Sequence, residues 1–252
     1  MFINSFDPVA FQVFSIEIRW YSLAYIFGLI IGWIYCKKIL IKQENLKKLF
    51  DDYISYIIIA IILGGRLGYV FFYNFSYFLK YPFEILMVWN GGMSFHGALI
   101  GIILATYLFS KKNNIDVYIF LDLVAITAPI GIFLGRVANF INGELVGKIT
   151  NFNWGVIFTK YDDNLRHPSQ LYEAILEGVV LFFLMNLIFF LKNTKIGTCS
   201  YMFLILYGSF RIISEFFREP DIQVGYLLGP LSMGMFLSGL MILVGIIIYF
   251  KK

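Results

Sequence analysis

Four polar side chains follow one another closely in residues 135 to 147, which read Gly-Arg-Val-Ala-Asn-Phe-Ile-Asn-Gly-Glu-Leu-Val-Gly. They are Arg136, Asn139, Asn142 and Glu144. This signature stretch comes directly after an apolar run, 119–134, that is long enough to enter a membrane. A charged side chain costs about 2.5 to 3.5 kcal/mol at the centre of a bilayer, and less near the interface. A guanidinium here therefore predicts a carboxylate partner or a bound anion such as a lipid phosphate.

Further ionisable side chains lie within or at the ends of apolar runs. Arg66 stands in Leu-Gly-Gly-Arg-Leu-Gly-Tyr, and His96 stands in Asn-Gly-Gly-Met-Ser-Phe-His-Gly. An ionisable residue inside a membrane is a functional candidate by default, so His96 suits a general base, although a hydrogen-bonding or packed histidine remains an alternative. Tyr207, Arg211 and Glu215 recur at i, i+4 and i+8, which predicts one stripe of a helix and allows an Arg211–Glu215 ion pair.

Few acidic residues lie close in sequence to Arg136 and Arg66. For Arg136 the nearest is Glu144, beyond the expected helix end, and Arg66 has no carboxylate within two helical turns. The sequence therefore predicts more cation than local anion, and a lipid phosphate of the outer leaflet would balance the surplus.

Composition indicates the class of protein that positions these groups. Of 252 residues, 60% are hydrophobic and only 14% are charged, with a mean hydropathy of +0.78, which is typical of a membrane protein. A spanning helix needs roughly 20 mostly apolar residues. Seven segments meet or approach that length: 20–36, 53–73, 91–109, 119–138, 172–191, 198–217 and 227–250.

Loop charges predict the orientation of these seven helices. Lysines concentrate in alternate connections and after the last span, and the positive-inside rule makes that side cytoplasmic. The N-terminus is then outside and the C-terminus is cytoplasmic. Arg66, Arg136 and Arg211 come late in outward-running spans and His96 comes early in an inward-running one, so we expect all four in the outer half of the bilayer.

The extracytoplasmic connections hold the irregular sequence. Residues 139–171 form the longest of them, and the aromatic and β-branched content of 151–158 favours short strands in a small cap. Residues 1–19 carry phenylalanines at near-helical spacing, which suits a segment lying in the membrane interface. Ser169, after Pro168, is predicted to be a helix N-cap. Without repeats or linkers, the sequence predicts an all-α integral membrane protein, 1–252, as one domain.

Other classes of function find little support. Cys36 and Cys199 show no metal-ligand spacing, so neither a metal site nor a disulfide framework is indicated. The net charge of +4 is weak evidence for nucleic acid, because basic residues also mark the cytoplasmic side of a membrane protein. A lipid or anion transporter is the alternative that would also use an outer-leaflet arginine cluster, although the absence of repeated halves speaks against it.

The signature stretch resembles that of bacterial prolipoprotein diacylglyceryl transferases. Five further motifs resemble the same family, in the family's order: Arg-Trp-Tyr (19–21), Gly-Arg-Leu-Gly-Tyr (65–69), Gly-Gly-Met-Ser-Phe-His-Gly (91–97), His-Pro-Ser-Gln-Leu-Tyr-Glu (167–173) and Glu-Phe-Phe-Arg (215–218). The resemblance covers the whole chain, and it implies a bacterial plasma-membrane enzyme that needs no cofactor. Its seven-helix topology agrees with the count above.

The implied reaction transfers the diacylglyceryl group of phosphatidylglycerol to the lipobox cysteine of a preprolipoprotein. It forms a thioether and releases glycerol 1-phosphate. The resemblance implies that Arg136 and Arg211 act at the lipid headgroup. It further marks His96 and Tyr207 for catalysis, and for substrate binding Tyr21, Arg66, Asn139, Asn142, Glu144 and Glu215. The expected partners are phosphatidylglycerol, the lipobox signal peptide and membrane lipids, without nucleic acid, and a monomer is expected.

Overall fold

The computed structural model describes residues 2–14, 16–88, 91–192, 194–220, 225–229 and 231–251. For Ile16, Phe72, Tyr73, Phe95, His96 and Leu228 it describes the backbone alone. The contacts within the chain divide it into two compact units, one formed by Met1–Tyr35 with Asp122–Lys252 and the other by Cys36–Leu121. Each unit is described by itself.

The regular elements are mostly helices. In chain order they are β1 (Phe2–Asn4), β2 (Val9–Val13), β3 (Ile16–Arg19), α1 (Trp20–Tyr35), α2 (Glu44–Tyr73), α3 (Phe75–Lys80), α4 (Phe95–Asn113), α5 (Val117–Asn142), β4 (Val156–Phe158), β5 (Leu165–Arg166), α6 (Ser169–Glu173), α7 (Leu181–Phe190), α8 (Thr198–Glu215), β6 (Tyr226–Leu228), β7 (Leu231–Ser232) and α9 (Met233–Lys251). Two π-helical segments, Cys36–Leu40 and Ala174–Val180, continue α1 and α6, and a 3-10 turn covers Pro82–Leu86.

Within the described residues, five helical segments are long and apolar enough to cross a membrane. They are Trp20–Leu40, Glu44–Phe71, Val117–Asn142, Ser169–Phe190 and Met233–Lys251. Helices α4 and α8 have 19 and 18 residues, and α8 carries Arg211 and Glu215 in its last turns, which makes it more polar. Several long apolar helices in one chain are typical of a multi-pass integral membrane protein.

Three helices begin away from the predicted boundaries. Helix α2 starts at Glu44 instead of residue 53, because the polar residues after the first span also adopt helical conformation. Helix α4 starts at Phe95, four residues late, where the Ser94 side chain accepts a hydrogen bond from the Gly97 amide at 3.2 Å. Helix α9 starts at Met233, because the β6–β7 hairpin precedes it.

In the Cys36–Leu121 unit, α2 and α4 pack closely through glycines. A Cβ atom added to Gly68 would lie 2.6 Å from the Cα atom of Gly97, a contact that no side chain tolerates. Farther along the same pair of helices, the buried Tyr53 and Thr106 hydroxyls are 2.7 Å apart. The small residues thus let the two backbones approach, as is common between helices in membranes.

The N-terminal residues form strands, although the phenylalanines of 1–19 stand at near-helical spacing; their predicted position in the membrane interface stays a prediction. Strand β1 pairs in parallel with β4, and β2 pairs with β3 in an antiparallel hairpin. The Asn4 amide donates a 2.6 Å hydrogen bond to the Phe140 carbonyl oxygen. Pairing with a distant strand, which local spacing cannot reveal, decides the conformation here.

A small cap follows α5 and contains short strands. Its sheet has the order β1-β4-β5, and its apolar core consists of Val146, Val156 and Phe158, with Phe140 packed against them. The segment after the signature turn pairs with the residues that follow α8, because the Lys148 amide donates to the Phe217 carbonyl at 2.9 Å. The cap is therefore joined to the C-terminal end of α8.

Asp122, which interrupts the fourth apolar segment, has a structural role. Its buried carboxylate accepts hydrogen bonds from the Gly197 amide at 2.6 Å, the Ser200 amide at 2.7 Å and the Ser200 hydroxyl at 2.5 Å. These amides lie at the start of α8, where helical backbone leaves N–H groups without intrahelical partners. Asp122 of α5 therefore caps α8 and ties the two helices together.

Candidate active site

Two guanidinium groups, Arg136 on α5 and Arg211 on α8, are joined by one carboxylate. Nη1 of Arg136 lies 2.9 Å from Oε2 of Glu173, without the alignment of a hydrogen bond. Nη1 of Arg211 donates to Oε1 of the same carboxylate at 2.7 Å. Arg218 adds a third contact to Oε1 at 3.3 Å. The single carboxylate of Glu173 therefore sets the spacing of the two arginines singled out from the sequence.

A second buried carboxylate, Glu177, completes this arrangement. Its Oε2 accepts a 3.0 Å hydrogen bond from Nη2 of Arg136, and its Oε1 lies 3.9 Å from Nη1 of Arg211. Both glutamates are fully buried, with relative exposures of 0%. The side chains of Arg136 and Arg211 keep 16% and 11% exposure, so the arginines form the accessible part of the group.

The structure corrects the predicted surplus of positive charge around Arg136 and Arg211. Three arginines, Arg136, Arg211 and Arg218, contact three glutamates, Glu173, Glu177 and Glu215. Within the part of the chain that the structure describes, this arginine–glutamate cluster carries three formal charges of each sign. The prediction was wrong because it considered only acids close along the chain, whereas Glu173 lies 37 residues beyond Arg136 and reaches it by helix packing. These described side chains balance one another in formal charge without a bound phosphate.

A close helix approach brings the glutamates to Arg136. Glu173 ends α6 and Glu177 lies in the π-helical segment, four residues later, so both side chains face the same way. A Cβ atom added to Gly178 would lie 2.6 Å from the Cβ atom of Phe133, three residues before Arg136. Only glycine permits this contact between α5 and the π segment. π-helical segments often occur at functional sites.

Glu215 and Tyr207 flank the cluster on α8. Nη2 of Arg211 lies 2.5 Å from Oε2 of Glu215, which realises the ion pair that the i, i+4 spacing allowed. The Ser232 hydroxyl donates to Oε1 of Glu215 at 2.8 Å, so the last residue of β7, directly before α9, supports this carboxylate. Tyr207 is buried, stacks on Phe203 and interacts electrostatically with Glu177 and Arg136.

The polar residues of the signature stretch bind one another. The side-chain amides of Asn139 and Asn142 donate to Oε1 of Glu144 at 2.7 and 3.1 Å. The Gln170 amide donates to the Glu144 carbonyl at 2.7 Å. Leu145 then adopts a φ of 56°, which is costly for a branched residue and is maintained by the surrounding bonds. The stretch is thus a rigid turn with an exposed carboxylate at its centre.

Tyr21, predicted to bind substrate, forms a pair with Tyr25. The Tyr25 hydroxyl donates to the Tyr21 hydroxyl at 3.0 Å, and the rings meet edge to face. Tyr25 also interacts electrostatically with Arg136 and Glu144. Helix α1 therefore places an exposed pair of phenols near the signature stretch.

Arg66 belongs to the other unit and binds backbone carbonyls. Its Nε donates to the Ile85 carbonyl at 3.0 Å and its Nη2 to the Glu84 carbonyl at 2.5 Å, while Nη1 donates to Gly91 and Gly92. Its guanidinium lies 5.1 Å from the centre of the Phe78 ring. A cavity of about 290 Å³ adjoins it, lined by Arg66, Tyr69, Asn74, Tyr77, Phe78, Glu84, Gly91 and Gly92. Arg66 therefore organises the loop between α2 and α4.

The predictions for His96 and Ser169 have different outcomes. The His96 side chain lies outside the described residues, so its proposed role stays a prediction. The His167 ring lies 3.2 Å from the Tyr172 hydroxyl, and burial lowers the pKa of His167 below its usual range. Ser169 is the first residue of α6 and donates to the Leu145 carbonyl at 3.1 Å, so the prediction that it caps the helix was wrong.

Arg166 stabilises the cap through Asp162. Nη2 of Arg166 donates to Oδ2 of Asp162 at 2.6 Å, and its Nη1 donates to the Gly147 carbonyl at 2.9 Å. The hydrogen bonds from Arg166 lower the pKa of Asp162 to about 2, and the same contact raises the pKa of Arg166. Among the described residues, no group of histidine, cysteine, aspartate and glutamate side chains could hold a metal ion.

Comparisons with known proteins agree with the sequence motifs. A family model described as prolipoprotein diacylglyceryl transferase matches residues 8–251. A protein of Ehrlichia canis named phosphatidylglycerol–prolipoprotein diacylglyceryl transferase is 50% identical over 250 residues, which cover 98% of this chain and 95% of the relative. Proteins of the same name from Rickettsia bellii and Rickettsia typhi are 47% and 49% identical, and the matches cover 100% and 97% of this chain and 97% and 96% of the relatives.

Proposed function

Because the chain belongs to the prolipoprotein diacylglyceryl transferase family, we propose that it transfers the diacylglyceryl group of phosphatidylglycerol to the cysteine thiol of a lipobox. The product is a thioether-linked preprolipoprotein, the first intermediate of bacterial lipoprotein maturation, and glycerol 1-phosphate is released. The observation that supports this assignment best is the pair of guanidiniums of Arg136 and Arg211, which are held together on Glu173 and keep side-chain exposures of 16% and 11%.

The arginines suit the departure of a phosphate. The reaction breaks the bond between the glyceryl carbon and a phosphate oxygen, so negative charge develops on the leaving group. A guanidinium has five N–H donors, and the ion pairs engage only the terminal nitrogens of Arg136 and Arg211 with the glutamates. The remaining N–H groups would stabilise the developing charge.

The thiol must lose its proton during the reaction. A free thiol has a pKa of about 8.5, so only a few per cent is thiolate at neutral pH. We assign His96 as the base from its sequence motif, and activation by the field of the arginines is the alternative. Tyr207, Tyr21, Arg66, Asn139, Asn142, Glu144 and Glu215 are assigned to catalysis or substrate binding by the family resemblance.

Topology follows from the loop charges. Helices α4 and α8, added to the five segments that are long and apolar enough to span, would complete seven spans with the N-terminus outside and the C-terminus in the cytoplasm. The cap and the arginine–glutamate cluster would then face the extracytoplasmic side of the plasma membrane. We assign the whole chain to one integral membrane domain that acts as a monomer. The names of the relatives do not favour the transporter alternative.

The direct test is lipidation of a lipobox peptide by purified protein in micelles that contain phosphatidylglycerol. The wild type should yield a peptide heavier by the diacylglyceryl group, together with glycerol 1-phosphate. Arg136→Ala and Arg211→Ala should abolish the product, while Lys47→Ala, at a pair with the exposed Glu44, should not. Normal turnover by both cluster variants would contradict the assignment of the two arginines.

A further inference from the structure

We infer that Glu173 and Glu177, named here the carboxylate bracket, are positioning residues for the diacylglyceryl transfer. They would act by holding Arg136 and Arg211 in the spacing that the departing phosphate requires. The inference deepens the proposed function and rests on it. Neither glutamate was assigned a role from the sequence: Glu173 is only the last residue of the 167–173 motif, and Glu177 stands in an apolar segment far from the arginines.

The geometry of the bracket distinguishes it from an ordinary ion pair. Glu173 uses one oxygen for Arg136 and the other for Arg211, so a single rigid carboxylate bridges helices α5 and α8. Glu177 holds the second nitrogen of Arg136 at 3.0 Å, so both ends of that guanidinium are engaged. An arginine with both terminal nitrogens bound has little freedom to rotate.

Burial excludes a direct role for the bracket in contacting substrate. Both glutamates are 0% exposed, whereas the arginines that they hold retain exposure. The bracket therefore acts on the reaction through the arginines. A displacement of about 1 Å in a reacting or stabilising group can lower a rate about 100-fold. We expect an effect of that size when a carboxylate of the bracket becomes an amide.

The charge of the cluster predicts which kinetic constant changes. Replacing either glutamate by glutamine makes the net charge of the cluster more positive by one, so attraction of the anionic headgroup is not weakened. The guanidiniums, however, lose one of the carboxylates that fixed them. The rate of transfer should therefore fall while the apparent KM for phosphatidylglycerol stays the same or decreases.

Folding should survive these substitutions. In Glu173→Gln, Arg211 keeps Glu215 and Arg136 keeps Glu177; in Glu177→Gln, Arg136 keeps Glu173. The matched control is Glu219→Gln, which removes a carboxylate 3.4 Å from Arg166 in the cap, at a side chain that is 40% exposed. The apparent melting temperature of each variant in detergent reports on the fold.

The experiment measures peptide lipidation by full-length protein against the mole fraction of phosphatidylglycerol in mixed micelles. We expect kcat to fall about 100-fold or more in Glu173→Gln and Glu177→Gln, with KM not raised by more than threefold and with Glu219→Gln unchanged. Wild-type kcat in both bracket variants, or a rise in KM alone, would overturn the inference. If Glu173→Gln does not fold, Glu177→Gln decides by the same criteria. A wild type that lipidates no peptide would instead refute the proposed function, and the inference with it.

Discussion

Replacing Arg211 by lysine tests whether the forked shape of the guanidinium matters beyond its charge. In the structure, Nη1 of Arg211 contacts Glu173 at 2.7 Å and Nη2 contacts Glu215 at 2.5 Å, on opposite sides of the group. One lysine ammonium cannot occupy both positions. The variant therefore loses one charge-assisted contact, which is worth about 1.5 to 3 kcal/mol. If the transition state loses the same amount, the rate falls about 10- to 150-fold.

The variant should still fold, because both carboxylates keep a partner. Glu215 retains the Ser232 hydroxyl at 2.8 Å, and Glu173 retains Arg136 and Arg218. The assay is the initial rate of lipobox-peptide lipidation at saturating phosphatidylglycerol, normalised to folded protein. The control is Lys47→Arg, the reverse exchange at an ion pair with the exposed Glu44, which should stay within twofold. An Arg211→Lys rate within threefold of the wild type would show that charge alone suffices. It would refute the argument that Arg211 must contact both Glu173 and Glu215.

Two further predictions concern stability. Asp122→Ala removes the buried cap of α8 and should cost about 2 to 4 kcal/mol, which lowers the apparent melting temperature by roughly 5 to 15 °C, whereas the exposed Asp52→Ala should change it little. Because Arg166 lowers the pKa of Asp162 to about 2, against about 3.9 in an unfolded chain, the stability from this pair is complete above pH 4 and is lost as the pH falls towards 2. Hydrogen exchange of the cap amides should show this acid loss, and its persistence in Asp162→Asn would contradict the assignment.

The carboxylate bracket explains how this membrane protein can bury Arg136 and Arg211. A buried guanidinium needs a partner, and a buried carboxylate whose two oxygens both contact guanidinium groups holds them in place. On the inferred role of Glu173 and Glu177, the remaining N–H groups are oriented before any lipid arrives, so the reaction would not have to reorganise them. The cost of burying six charges is offset within the cluster and not by the substrate.

The sequence by itself determined the class of protein and most of the candidate residues. Long apolar runs can satisfy backbone hydrogen bonds in a bilayer only as helices, so composition alone indicated an integral membrane protein. The i, i+4 spacing of Arg211 and Glu215 predicted their ion pair, because neighbours on one helix meet whatever the tertiary structure is. The family resemblance rested on motifs that can be read directly.

Only the tertiary structure decided which charges meet across helices. Glu173 and Glu177 stand four residues apart in an apolar segment, and that spacing was the one sign that they share a face. Their contact with Arg136 depends on the close approach at Gly178, which brings together segments that are distant along the chain. The contacts of Asp122 and the pairing of the N-terminal strands likewise join segments that are distant along the chain. Local spacing determines which side chains share a helix face, whereas tertiary packing determines which groups that face contacts. In this protein, packing places buried carboxylates where a phosphate counter-ion was expected.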